Sequence, residues 1–327
     1  MSDPRRCQDL APSSGSVGFM TRIGNSDLDI FPLVFGGNVF GWTADQDTSF
    51  ALLDGFVAGG GQLIDTADGY SHWVPGHHGG ESETIIGAWL AARRARDRVL
   101  IATKVATHPD YRGLSPANIR RAADASLARL GVDQIDLYYA HFDDPDVPMA
   151  ETVGALSQLV DDGKIRYFAP SNYTAERLDD WFAQTAANGY HRAVALEPQY
   201  NLVERGFETN GLQAAAERYQ LGVMPYYGLA SGFLTGKYRP GQPASGDRAA
   251  GAAKYLTPTG LAILASLDEI SAAHGVEPAS VALAWLRAQP TVVAPIASAS
   301  RPEQLPALLA GATLDLTADE LALLSAD

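Results

Sequence analysis

The chain is poor in cysteine, in lysine and in long apolar runs. Its single cysteine, Cys7, rules out an internal disulfide and suits a reducing compartment, so a cytoplasmic location is expected. No apolar run approaches the ~20 residues that span a bilayer. Residues 1–16 carry Arg5 and Arg6 but no following apolar segment, so they do not read as a secretory signal. They read as a disordered lead, with residues 17–327 as the folded unit. Positive charge is also scarce. There are 24 Lys and Arg against 38 Asp and Glu, a net charge of −14. Such a surface argues against nucleic acid and anionic membranes as partners, while local basic groups can still grip an anionic small molecule. The sequence has no low-complexity tract, no residue-level internal repeat and no Pro/Ser-rich linker. With 327 residues and 46% hydrophobic composition, it can bury one large α/β core.

Against this background the stretch 61–70, G-Q-L-I-D-T-A-D-G-Y, stands out. A short apolar run ends abruptly in Asp65, as a buried parallel strand would, and Tyr70 follows on the loop. Two more runs end in the same way, residues 99–103 in Lys104 and residues 135–140 in His141. Only four lysines occur in the chain, at 104, 164, 237 and 254, so one at a strand end suggests chemistry. The alternation of strand and helix continues along the chain. A hairpin spans residues 20–30 around Gly24, Asn25 and Ser26. Strands are expected at 31–35, 62–64, 99–103, 135–140, 165–169, 193–196, 221–226 and 291–296. Helices are expected between them, including 207–219, 258–274 and 278–289, with a last one at 302–310. A Gly/Pro-rich stretch covers 228–257, a length that usually marks a functional segment. The expected fold is a single (β/α)8 TIM barrel with an N-terminal β-hairpin and extra helices near the C-terminus. In such a barrel the strand ends converge on one rim, which brings Asp65, Tyr70, Lys104 and His141 together.

The same strand ends carry a set of motifs in order: D-T-A-D-x-Y after strand two, T-K after three, Y-x-A-H at four, S-N after five, P-Q-Y-N after six and G-F-L-T-G-K-Y after seven. Running from roughly residue 20 to 306 on a predicted barrel, this set resembles the aldo-keto reductase family. It is most similar to the bacterial branch that also resembles potassium-channel β-subunits. The resemblance implies reduction of a small-molecule carbonyl by hydride from NADPH. A free phenol, pKa ~10, is a poor acid near neutral pH, and a nearby ammonium favours the phenolate. Tyr70 is therefore expected to be the proton donor and Lys104 its tuner. Asp65 would pair with Lys104, and His141 would orient the carbonyl oxygen. By the family pattern, Ser171, Asn172 and Gln199 hold the nicotinamide carboxamide and Tyr226 stacks on the ring. Leu229, Ser231, Gly232 and Lys237 match the pyrophosphate segment. Ser300 and Arg301 stand where the family grips the 2′-phosphate, at the start of a helix.

There are departures from the family pattern. Tyr227-Gly228 replaces a usual Ser-Pro pair, and Ala307 and Leu308 stand where Glu and Asn are usual, leaving the adenosine end to Gln304 and Arg301. Phe40, Trp42 and Trp73 are rim aromatics expected to line a substrate mouth. His72, His77, His78 and Glu81 fit no standard ligand spacing, so no metal is expected. Gly59-Gly60-Gly61 precedes a strand and is no dinucleotide fingerprint. Two other functions fit a barrel: an NADPH-holding regulatory subunit like the channel β-subunits, or a different barrel enzyme such as a metal hydrolase or a Schiff-base aldolase using Lys104. The intact set of four favours the reductase over the first. Asp65 beside Lys104 keeps the amine protonated and disfavours the aldolase.

Overall fold

Strand periodicity sorts the apolar residues into two shells. The computed structural model describes residues 20–241 and 246–326, so the lead read as disordered lies outside the described residues. The chain opens with a hairpin in which β1 (Thr21–Arg22) pairs antiparallel with β2 (Asp29–Ile30). Eight parallel strands follow: β3 (Val34–Gly36), β4 (Leu63–Asp65), β5 (Leu100–Val105), β6 (Ile135–Ala140), β7 (Ile165–Pro170), β8 (Ala195–Leu196), β9 (Gly222–Val223) and β10 (Ile296–Ala297). Six of them form a continuous sheet in the order β10-β3-β4-β5-β6-β7, and β8 pairs with β9. Single parallel bridges carry the pairing further round, at Ser171–Glu197, Gln199–Tyr226 and Val223–Val292.

The last three strands are shorter than the apolar runs suggest. Pro198 follows the first of these runs, Pro225 and Pro295 interrupt the other two, and proline has no N–H to give to a ladder. Their carbonyls still accept, from Tyr226, Ile296 and Val34 respectively, so the strands are tied together without full ladders.

Successive side chains point to opposite faces of a strand. Leu63, Ala102, Leu137, Tyr139, Ala169 and Ala195 share the inner cluster with Ile23, Leu28 and Ile30 of the hairpin. Their neighbours Ile64, Ile101, Tyr138 and Phe168 face outward, against the helices. The same alternation points Asp65, two residues beyond Leu63, and Lys104, two beyond Ala102, into the barrel.

The helices α1 (Gln46–Ala58), α2 (Glu81–Arg93), α3 (Pro116–Leu130), α4 (Met149–Asp161) and α5 (Ala175–Asn188) each follow a strand. Their starts are chemically marked. Asp45 caps α1 by accepting from the Thr48 N–H at 2.9 Å. Ser115 caps α3, with Pro116 in the first turn. The expected helix over 207–219 is two pieces, α6 (Gly206–Thr209) and α7 (Leu212–Tyr219). Gly211 between them takes φ +88, a left-handed conformation that ends the first and starts the second. The Gly/Pro-rich stretch carries a 3-10 segment, Ala230–Thr235, and α8 (Ala249–Ala253). After α9 (Pro258–His274) and α10 (Pro278–Arg287), the helix expected from 302 opens as a 3-10 turn and continues as α11 (Leu305–Thr313). A final helix, α12 (Ala318–Ser325), was not foreseen. Its sequence signal is the reciprocal capping box of Thr317 and Glu320.

Candidate active site

The four strand-end residues meet around one ammonium. Lys104 is fully buried. Its Nζ donates to both Asp65 carboxylate oxygens at 2.6 Å, to the Thr66 carbonyl at 2.9 Å and to the Tyr70 hydroxyl at 3.1 Å. Burial alone would lower its pKa, but the Asp65 carboxylate raises it, so the lysine stays charged. His141 lies edge-on to Tyr70 with ring centres 5.9 Å apart. Burial first, and then Lys104, hold its pKa well below the ordinary histidine value, so the ring is neutral. Its Nδ1 lies 3.3 Å from the Thr107 hydroxyl, which donates to Asp68 at 3.4 Å. Burial pushes the Asp68 carboxyl up to about 7.

Tyr70 departs from the expectation. The nearby ammonium was expected to lower its pKa, but the phenol is raised above its ordinary value. Burial is the largest cause, the Asp65 carboxylate adds to it, and Lys104 opposes without prevailing. The phenol therefore keeps its proton at neutral pH, with a charged donor beside it ready to stabilise phenolate.

Asp65, Tyr70 and His141 open onto a cavity of about 1050 Å3. Asp65, Tyr70, Trp73, His141, Asn172, Tyr226, Leu229, Ser231, Gly232, Lys237, Ser300, Arg301 and Gln304 all line it, as do Tyr227, Gly228, Ala307 and Leu308. Asn172, at φ +59, donates from Nδ2 to the His141 carbonyl at 2.8 Å and accepts the Tyr226 hydroxyl on Oδ1 at 2.7 Å. It thereby fixes the tyrosine expected to stack on a ring. At the far end the Gln304 Oε1 accepts the Ser300 N–H at 2.8 Å, tying that side chain to the start of the 3-10 turn.

Four expected residues do not line the cavity. Ser171 is buried, and its hydroxyl donates to the Glu197 carbonyl at 2.9 Å, joining β7 to β8 rather than facing the cavity. Gln199 does not line the cavity. The side chain that the segment after β8 sends there is Glu197. Phe40 is fully buried against Phe35 and packs the core instead of the mouth. Trp42, the fourth, is half-buried and meets Trp73 edge-on at 5.7 Å; of the two tryptophans only Trp73 lines the cavity. His72 and His77 hydrogen-bond carbonyls of their own loop, and Glu81 accepts the N–H groups of His78 and Gly79. Among the described residues no three His, Cys, Asp or Glu side chains group as a metal site would need.

Other cavity residues escaped the sequence reading. Asn38 accepts the Ser298 hydroxyl at 2.7 Å, across the β3–β10 seam. Phe142 stacks on His141. Arg248 lies 5.5 Å from the Trp42 ring centre, with a buried Nη2 that has no partner. Phe142 follows a flagged residue directly, a signal that could have found it; Asn38, Ser298 and Arg248 carry no local motif.

Comparison with known proteins places this geometry in context. Residues 32–326 match the sequence profile of the Aldo/keto reductase family. The chain is 32% identical to Protein tas of Escherichia coli over 92% of its own length and 95% of that protein's. It is 34% identical to the uncharacterized oxidoreductase YrpG of Bacillus subtilis, covering 87% of this chain and 88% of that one. A putative voltage-gated potassium channel subunit beta of Schizosaccharomyces pombe is 35% identical over 74% of this chain and 72% of its own.

Proposed function

This chain belongs to the aldo/keto reductase family, a family of (β/α)8 barrel oxidoreductases, and on that premise we propose that it is an NADPH-dependent reductase of aldehydes or ketones, with Tyr70 as proton donor. The observation that carries the reading is the buried Lys104 ammonium shared between Asp65 and the Tyr70 hydroxyl, both of which line a large cavity. NADPH, when bound, supplies hydride to the carbonyl carbon. The protein's part is to manage the charge left on oxygen. Tyr70 gives its proton to the nascent alkoxide, and Lys104, fixed by Asp65, stabilises the phenolate that remains. Neutral His141 is positioned to orient the carbonyl by a hydrogen bond.

The residues present fit such a cofactor. A buried polar atom stands without a partner at the cavity, Arg248 Nη2. Ser231 and Gly232 take positive φ beside Lys237, turning the backbone sharply at the cavity wall. Tyr226 and Asn172 would hold the nicotinamide end. Lys237, Ser231 and Gly232 would hold the pyrophosphate, and Ser300 and Arg301 the 2′-phosphate. The exposed Arg301 supports NADPH over NADH.

The test is NADPH oxidation against a panel of aldehydes and ketones. Turnover dependent on Tyr70 is expected. The similarity to a putative channel β-subunit favours one alternative, a regulatory subunit that holds NADPH. Tight NADPH binding with no turnover of any carbonyl would select it.

A further inference from the structure

We propose that Glu197 is a positioning residue held as a neutral carboxylic acid on the cavity floor, where its proton reserves the charge of Lys104 for Asp65 and Tyr70. Two carboxyl groups flank one ammonium. Asp65 takes Nζ on both oxygens at 2.6 Å, whereas Glu197 Oε1 lies at 3.5 Å. An ammonium has three N–H groups, and Asp65, Thr66 and Tyr70 already occupy them at shorter range. Glu197 is 2% exposed, and its Oε2 has no partner. An ionised carboxylate left in that state would be a buried, half-satisfied charge, which is costly. The other groups around it, Tyr139 from β6 and Tyr226 from the segment after β9, are neutral phenols raised above their ordinary values by burial. Burial, and then Asp65, push the Glu197 carboxyl up to about 8, against the pull of Lys104. Once ionised, Glu197 would compete for Lys104 and raise the Tyr70 phenol further, weakening the proton donor.

The kinetic part of the inference rests on the reductase reading; the protonation state does not. The experiment compares wild type with Glu197→Gln and Glu197→Met, both permanently neutral. In wild type, kcat for carbonyl reduction should fall as pH rises through about 8, with KM little changed. Both variants should lose that alkaline limb. Thermal unfolding gives a readout independent of catalysis. Between the ordinary glutamate value of ~4.3 and about 8, native Glu197 keeps a proton that the unfolded chain has released. Wild-type stability is therefore lost across this window as pH rises. The melting temperatures of the variants should gain on wild type from pH 5 to pH 8. A constant offset in melting temperature, or an alkaline limb retained in both variants, overturns the proposal. So does failure of both variants to fold, because a neutral group tolerates neutral replacements of similar length. If wild type reduces no carbonyl, the reductase reading falls while the unfolding comparison still decides the state of Glu197.

Discussion

Lys104 gathers the polar contacts of the candidate site onto one side chain. It is fully buried and satisfies Asp65, Thr66 and Tyr70 together. Lys104→Met should therefore cost stability as well as activity. It leaves Asp65 uncompensated, and breaking a buried pair from one side typically costs about 3–5 kcal/mol. Tyr70→Phe removes only a hydroxyl, so urea denaturation should show a much smaller loss for it than for Lys104→Met. The kinetic order differs: general acid catalysis is typically worth ~10²–10⁴-fold, and Tyr70→Phe should lower aldehyde turnover by about that factor with NADPH affinity unchanged. Steady-state rates alongside fluorescence titration would check both halves; near-native turnover would remove Tyr70 from the role of acid. At the other end of the cavity, Arg301→Ala should weaken NADPH binding by about 10–100-fold, the range for a charged hydrogen bond of ~1.5–3 kcal/mol, and leave NADH binding nearly unchanged. Equal weakening of both cofactors in parallel titrations would end the 2′-phosphate assignment.

Elements position these residues by counting. Because a strand alternates faces, Lys104 stands two residues above Ala102, and Ala102 lies in the inner cluster with 1% exposure. Ala102→Leu should overpack that layer, costing ~1–3 kcal/mol, and displace Lys104, so activity should fall with stability. Full activity in a folded Ala102→Leu protein would show that the inner layer does not set the lysine. The element pattern itself was largely legible. The βα alternation, the hairpin turn and the Ser115-Pro116 helix start are set by neighbours in sequence, and they appear where expected. Strand lengths near Pro198, Pro225 and Pro295 were less legible, since an apolar run reads as strand whether or not its ladder can form. The break at Gly211 was missed because the helical pattern on either side hides one left-handed residue.

At the scale of the whole molecule, the hairpin belongs to the barrel. Ile23 and Ile30 are fully buried in the inner cluster with Leu63, Ala102 and Leu137. Ile30→Ala should thus destabilise the entire fold by about 2–5 kcal/mol, visible as a lower urea midpoint in one cooperative transition. A local change that left the global midpoint in place would mean the hairpin is an appendage. The sequence by itself determined the barrel and the meeting of Asp65, Tyr70, Lys104 and His141, because period-2 apolar runs and the residues that end them are local features that a parallel barrel gathers on one rim. Only the tertiary structure decided that Glu197 rather than Gln199 faces the cavity, that Phe40 is core, and that the Tyr70 phenol is raised rather than lowered. The first two depend on the path the chain takes after a strand and on what packs against it, the third on desolvation and on charges brought from distant strands, and all exist only once the chain has closed.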